Sequence, residues 1–173
     1  DPPVQTIRNQ LFRTNLNDVV NFIVVHIFDR VSAKTEAYKI VRQLDPDVPL
    51  VSVNEFVVWE IIEPLLQNSI DHGAVNDLMV TISTSYDKDA KISELSISDN
   101  GVGIETDLLK TNEEGIQNVF VENSTTKHQG MKTSGYGCYI AYEMTKRCGW
   151  EIRAENLPEQ GCSFVITIKH ERS

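Results

Sequence analysis

Asp99 stands just before Gly101 and Gly103, at the end of a stretch that alternates apolar and polar residues. A carboxylate there can hold an exocyclic amine. Two residues without a Cβ let the backbone turn and approach a ligand closely. Gly135 and Gly137 stand where a polar loop runs into a helical pattern. Free N–H groups and the positive end of a helix dipole suit a phosphate at such a place. Asn68 and His72 share one edge of a helical stretch. The amide oxygen of Asn68 suits Mg2+, a hard cation that keeps several waters and takes few protein oxygens beside phosphate. Thr126 and Lys127 close a Ser-Thr-Thr-Lys run, where the lysine could reach a terminal phosphate. Each feature alone reads as a tight turn, a solvated helix face or a loop lysine. In order along one chain they outline a nucleotide pocket.

The elements that must position these residues follow from periodicity. Apolar positions at helical spacing predict a helix over 16–32, with Asn15 or Asn17 as N-cap. His26 within it lacks an acidic-Arg-Thr-Pro context and reads as a packed or surface histidine rather than a phosphoacceptor. A strand is expected over 37–43 and a proline and aspartate turn over 45–49. Asn54 caps a helix to His72, with Phe56, Trp59, Ile62, Leu66 and Ile70 on one face and Gly73 as its stop. Pro64 inside it predicts a kink near Glu60. Strands over 78–85 and 91–98 form a hairpin that delivers Asp99 to its carboxyl end.

Short helices are expected over 106–110 and 113–120, then a loop over 122–134 with almost no apolar content. Gly135 opens a helix that ends near Cys148, and strands over 150–155 and 162–169 follow. The order predicts an α/β (α+β) two-layer sandwich, a mixed sheet with helices on one face. Residues 1–15 are polar with two prolines and read as a linker or expression remnant, with the domain at 16–173.

The chain carries 16 Lys and Arg against 25 Asp and Glu, a net charge of −9. That excludes a general nucleic-acid binder, which needs a phosphate-neutralising basic surface. No apolar run approaches the roughly 18 residues that span a bilayer. Cys138, Cys148 and Cys162 form no C-x-x-C pair and read as buried thiols, not as a zinc site or a disulfide framework.

Taken together, the motifs resemble those of the histidine kinase-like ATPase (GHKL) superfamily, and of sensor histidine kinases within it. The run from Pro64 through Asn68 to Gly73 resembles the N box, and Asp99-Asn100-Gly101-Val102-Gly103 the G1 box. Val119-Phe120 through Thr125-Thr126-Lys127 is similar to the F box and its tail. Gly135-Tyr136-Gly137 with Ile140 resembles the G2 box, and Gly161-Cys162-Ser163-Phe164 the closing turn and strand.

The resemblance implies a Bergerat-type ATP-binding fold, with a mainly antiparallel sheet of about five strands. It implies that Asn68 ligates Mg2+, with His72 beside it. Asp99 would bond the adenine amino group, with Gly101 at the turn and Gly103 and Ile104 lining the base. The 121–134 stretch would be a lid, with Thr126 and Lys127 near the γ-phosphate. Gly135, Tyr136 and Gly137 would cradle phosphates. The implied activity is ATP-dependent protein histidine kinase activity: transfer of the γ-phosphate to a histidine on separate dimerisation helices, in a homodimer that signals to a response regulator. The fragment alone is not expected to autophosphorylate. The domain would be cytoplasmic, and the resemblance leaves a membrane anchor on the full-length protein open.

The chain also departs from the family pattern. Asp71 stands where the family has a lysine, and Cys138 where leucine is usual. Pro64 stands where the hydrolytic branches place a glutamate as general base, which points to transfer rather than hydrolysis. Two alternatives stay open: an anti-sigma-type serine kinase, and a degenerate nucleotide-binding scaffold.

Overall fold

The computed structural model describes residues 9–28, 38–122 and 134–170. Its five strands form one open sheet in the order β1-β2-β3-β5-β4. They are β1 (Tyr38–Gln43), β2 (Leu78–Asp87), β3 (Ile92–Asp99), β4 (Glu151–Asn156) and β5 (Cys162–Lys169). Only the β1–β2 pair is parallel; the other three pairs are antiparallel. The register sets Val80 opposite Asp99 and Ser98 opposite Ser163. This is the expected mixed, mainly antiparallel sheet.

The period of two decides which face is covered. Leu78, Val80 and Ile82 of β2, Leu95 and Ile97 of β3, and Phe164, Ile166 and Ile168 of β5 join one core with the helices. The alternate positions Met79, Ser85 and Glu94 are exposed.

Over that face lie α1 (Leu16–Ile23), α2 (Glu55–His72) and α4 (Ser134–Arg147). A single-turn α3 (Thr106–Leu109) and a 3-10 turn at Asn118–Phe120 stand between β3 and α4. Asn15 caps α1, accepting the Asp18 N–H, and Asn54 caps α2, accepting the Phe56 N–H at 2.8 Å. After Ile23 the first helix widens into a π turn, Val24–Phe28. His26 sits on that turn at the surface, its ring 4.5 Å from that of Phe22.

Two details differ from the periodicity reading. The buried face of α2 is Val58, Ile61, Ile62, Leu65, Leu66 and Ser69, while Phe56 is exposed and Trp59 only half-buried. The apolar stripe is wide enough to fit two registers, and the sheet selects the one that points Val58, Ile61 and Leu65 inward. Part of the stretch read as a linker is tied into the fold. Thr14 pairs with Val51, its hydroxyl donates to the Val53 carbonyl, and the Asn9 N–H donates to Ser52 at 2.8 Å.

Candidate nucleotide site

β3 turns Ser93, Leu95, Ile97 and Asp99 to its buried side, so Asp99 is a carboxylate at a core-facing position, 6% exposed. A buried carboxylate must be bonded to be tolerated. Oδ1 accepts the Gly101 N–H at 2.8 Å, and Oδ2 accepts the Cys162 thiol at 3.4 Å.

The loop after Asp99 is fixed on three sides. Asn100 extends the β2–β3 ladder with its side chain, Oδ1 accepting the Met79 N–H at 2.7 Å and Nδ2 donating to the Asp77 carbonyl at 3.2 Å. Its own carbonyl accepts Gln160 Nε2 at 2.7 Å. Gly101 lies on Gly73, where a Cβ would come 2.7 Å from the Gly73 Cα and carbonyl oxygen. The Val102 N–H then donates to that carbonyl at 3.0 Å. Gly161 crosses beneath with φ +89, and a Cβ there would overlap the Asp99 carbonyl.

The Val102–Gly73 bond joins the glycine loop to the end of α2, the segment that carries Asn68 and His72. Asn68 is half-buried, and its side chain has no hydrogen-bond partner among the described residues. Ser69 Oγ and His72 Nε2 are buried and equally without partners there. Burial pushes the His72 pKa below its ordinary 6.5, against the smaller upward pull of Asp71. Asp71 is exposed and accepts Gln67 Nε2 at 2.9 Å, one turn back along the helix.

Upstream, Glu63 accepts the Trp59 indole N–H, and Glu60 is exposed. Neither is placed on the Asn68 turn that Pro64 precedes.

α4 packs along α2 and begins at Ser134. Gly135, Tyr136 and Gly137 therefore lie in a first helical turn, where the main-chain N–H groups of Gly135 and Tyr136 have no intrahelical acceptor. The next residue, Cys138, is fully buried, which pushes its thiol pKa up to about 12. Thr126 and Lys127 lie outside the described residues. Among the described residues no three His, Cys, Asp or Glu side chains gather into a metal cage. No helix there is long and apolar enough to cross a membrane.

These features, in this order and on this sheet, can be compared with known proteins. Residues 54–172 match the family described as histidine kinase-, DNA gyrase B- and HSP90-like ATPase. The chain belongs to this family. The sensor histidine kinase YcbM of Bacillus subtilis (strain 168) is 25% identical over 158 residues, covering 91% of this chain and 48% of YcbM. The sensor histidine kinase GraS of Staphylococcus haemolyticus (strain JCSC1435) is 31% identical over 109 residues, covering 62% of this chain and 29% of GraS. The chain thus spans about half the length of YcbM, or less of GraS. In structure it is similar to the catalytic domain of histidine kinase ThkA, with TM-score 0.71 and 22% identity over 91% of this chain and 94% of that one. At that identity the likeness to ThkA is one of fold. Within the family, the chain is an ATP-binding domain of the histidine kinase type.

Sequence reasoning missed the residues that hold the loop rather than the ligand. Asn100 ties the 99–104 segment to Met79 and Asp77, and Asn156, Gln160 and Cys162 bond the segment from outside. Asn100 was legible in principle, because an asparagine between an aspartate and a glycine is a turn former. The other three come from the far end of the chain, and no local pattern announces them.

Proposed function

We propose that Mg·ATP binds between the end of α2, the glycine loop after β3 and the first turn of α4, and that its γ-phosphoryl group passes to a protein histidine. The observation that carries this reading is Asp99: a buried carboxylate, oriented through both oxygens, at the end of a strand whose following loop rests on α2. Its position suits the exocyclic amine of adenine, with Gly101, Gly103 and Ile104 at the base. The partnerless amide of Asn68 would hold Mg2+, which when bound neutralises phosphate charge. Neutral His72 sits one turn on as a further donor or acceptor. Thr126, Lys127 and the helix start at Gly135, Tyr136 and Gly137, with the free N–H groups of Gly135 and Tyr136, would face the phosphates.

In transfer, a bond forms between the γ-phosphorus and an imidazole nitrogen as the bridging P–O bond breaks, and ADP leaves. The acceptor would lie on separate dimerisation helices, and a response regulator would take the phosphoryl group next. The full-length protein would be a homodimer. Its ATP requirement puts this domain in the cytoplasm. With Pro64 in the general-base position, Glu63 engaged by Trp59 and Glu60 exposed, the site is poorly equipped to activate water, which favours transfer over hydrolysis.

The test is to mix the domain with the separately prepared acceptor helices of the same protein and γ-labelled ATP. Acid-labile label on the helices is expected. Acid-stable label would support serine transfer instead, and the absence of any label would support a scaffold.

A further inference from the structure

Among the described residues β4 is an edge strand, with β5 on one side and no strand on the other. Two carboxamides occupy that free edge. Gln117 pairs with Ala154 as a peptide unit would. Its Oε1 accepts the Ala154 N–H at 2.8 Å, and its Nε2 donates to the Ala154 carbonyl at 2.9 Å and to Leu109 at 3.0 Å. Two residues on, Asn156 does the same toward the loop. Its Oδ1 accepts the Ile104 N–H at 2.7 Å, and its Nδ2 donates to the Ile104 carbonyl at 2.8 Å. The segment from Ile104 to Gln117 therefore hangs on β4 by side chains, not by a ladder.

The two staples do different work. Gln117 holds the far end of the segment near α3. Asn156 holds its first residues. Gly103 has φ +84, and a Cβ there would come 2.9 Å from Asn156 Oδ1. A glycine at positive φ has little preference of its own, so an outside contact must choose its conformation. Ile104, half-buried against the core, inherits that choice.

We propose that Asn156 is a positioning residue for the base end of the nucleotide pocket, acting through the main chain of Gly103 and Ile104. The proposal rests on the nucleotide reading above. Asn156 is exposed, so water can replace both bonds when it is removed, and the fold loses little. What is lost is order. The loop samples more conformations, and binding must restore one of them.

The experiment measures Mg·ATP affinity by calorimetry well below the thermal midpoint, with amide hydrogen exchange on the same proteins. Wild type, Asn156→Ala, Asn156→Asp and Gln117→Ala are compared. Asn156→Ala should weaken ATP about five- to tenfold, speed exchange at Ile104 and barely move the midpoint. Asn156→Asp should lose at least as much, because a carboxylate would face the Ile104 carbonyl. Gln117→Ala should lower protection at Ala154 with a much smaller loss of affinity. Asn156→Ala binding ATP within twofold of wild type would overturn the proposal, even with faster exchange at Ile104. Equal losses in the Asn156 and Gln117 variants would also overturn it, by reducing the role to a general tether. If wild type itself does not bind, the nucleotide reading fails and takes this role with it, an outcome visible in the wild-type arm alone.

Discussion

The thiol of Cys162 donates to Oδ2 of Asp99 at 3.4 Å, so the carboxylate at the centre of the proposed pocket is oriented from β5 as well as from its own loop. Burial raises the Cys162 pKa well above the thiol range, and the Asp99 charge raises it further. Cys138, buried beyond the start of α4, is pushed up to about 12. Only thiolates react readily. Both cysteines should therefore alkylate at least about a hundredfold more slowly than a free cysteine near pH 8, and at ordinary rates in denaturant. Mass spectrometry of timed labelling checks this. Prompt labelling of the native protein would contradict the burial of these side chains.

Gly161 is set by a crossing of chains. Its φ is +89, and a Cβ would overlap the Asp99 carbonyl. Gly161→Ala should destabilise the domain by about 3 kcal/mol or more, read as a lower urea midpoint at an unchanged slope. A loss of under about 0.5 kcal/mol, the size of an ordinary surface substitution, would mean that β5 does not pass beneath Asp99.

Asp71 is exposed and turned to Gln67, yet it remains a negative charge one residue from His72. Asp71→Lys should tighten Mg·ATP about three- to tenfold at low ionic strength, and the gain should shrink as salt is added. Titrations at two salt concentrations separate the outcomes. An unchanged affinity at low salt would place Asp71 outside the field of the phosphates.

Burial lowers the pKa values of both His72 and His170 below 6.5 in the folded chain. Above that value both are neutral, folded or not, and their favourable share of stability is fully present. As pH falls through 6.5, the unfolded chain takes protons that the folded chain resists, so stability falls and then levels off below the folded values. The thermal midpoint should drop between about pH 7.5 and pH 5.5, and less so in His72→Gln. A midpoint in the wild type that is flat or rising across that range would contradict the burial of these imidazoles.

Much of this was legible in the chain. The 2- and 3.6-residue periods placed the strands and the long helices, because burial on one face imposes them directly. Asp99 and the two glycines after it were visible as a local motif, and Asn68 and His72 as a helical edge. The core register of α2 was not legible, since Phe56 and Trp59 extend the apolar stripe and only the sheet chooses between registers. The supports of the glycine loop were also hidden. Asn156 and Cys162 reach it through a hairpin more than fifty residues away, and Gly161 owes its identity to a neighbour that only the fold supplies. Asp71 could not be placed from sequence, because whether it faces the phosphates depends on which partner its side chain finds.

Calorimetric titration of the domain with Mg·ATP, in wild type and Asp99→Asn, tests the pocket most directly. Wild type should bind, and Asp99→Asn should bind about ten- to a hundredfold more weakly with its thermal midpoint largely kept. No binding by wild type at millimolar nucleotide, or equal binding by both proteins, would contradict the account.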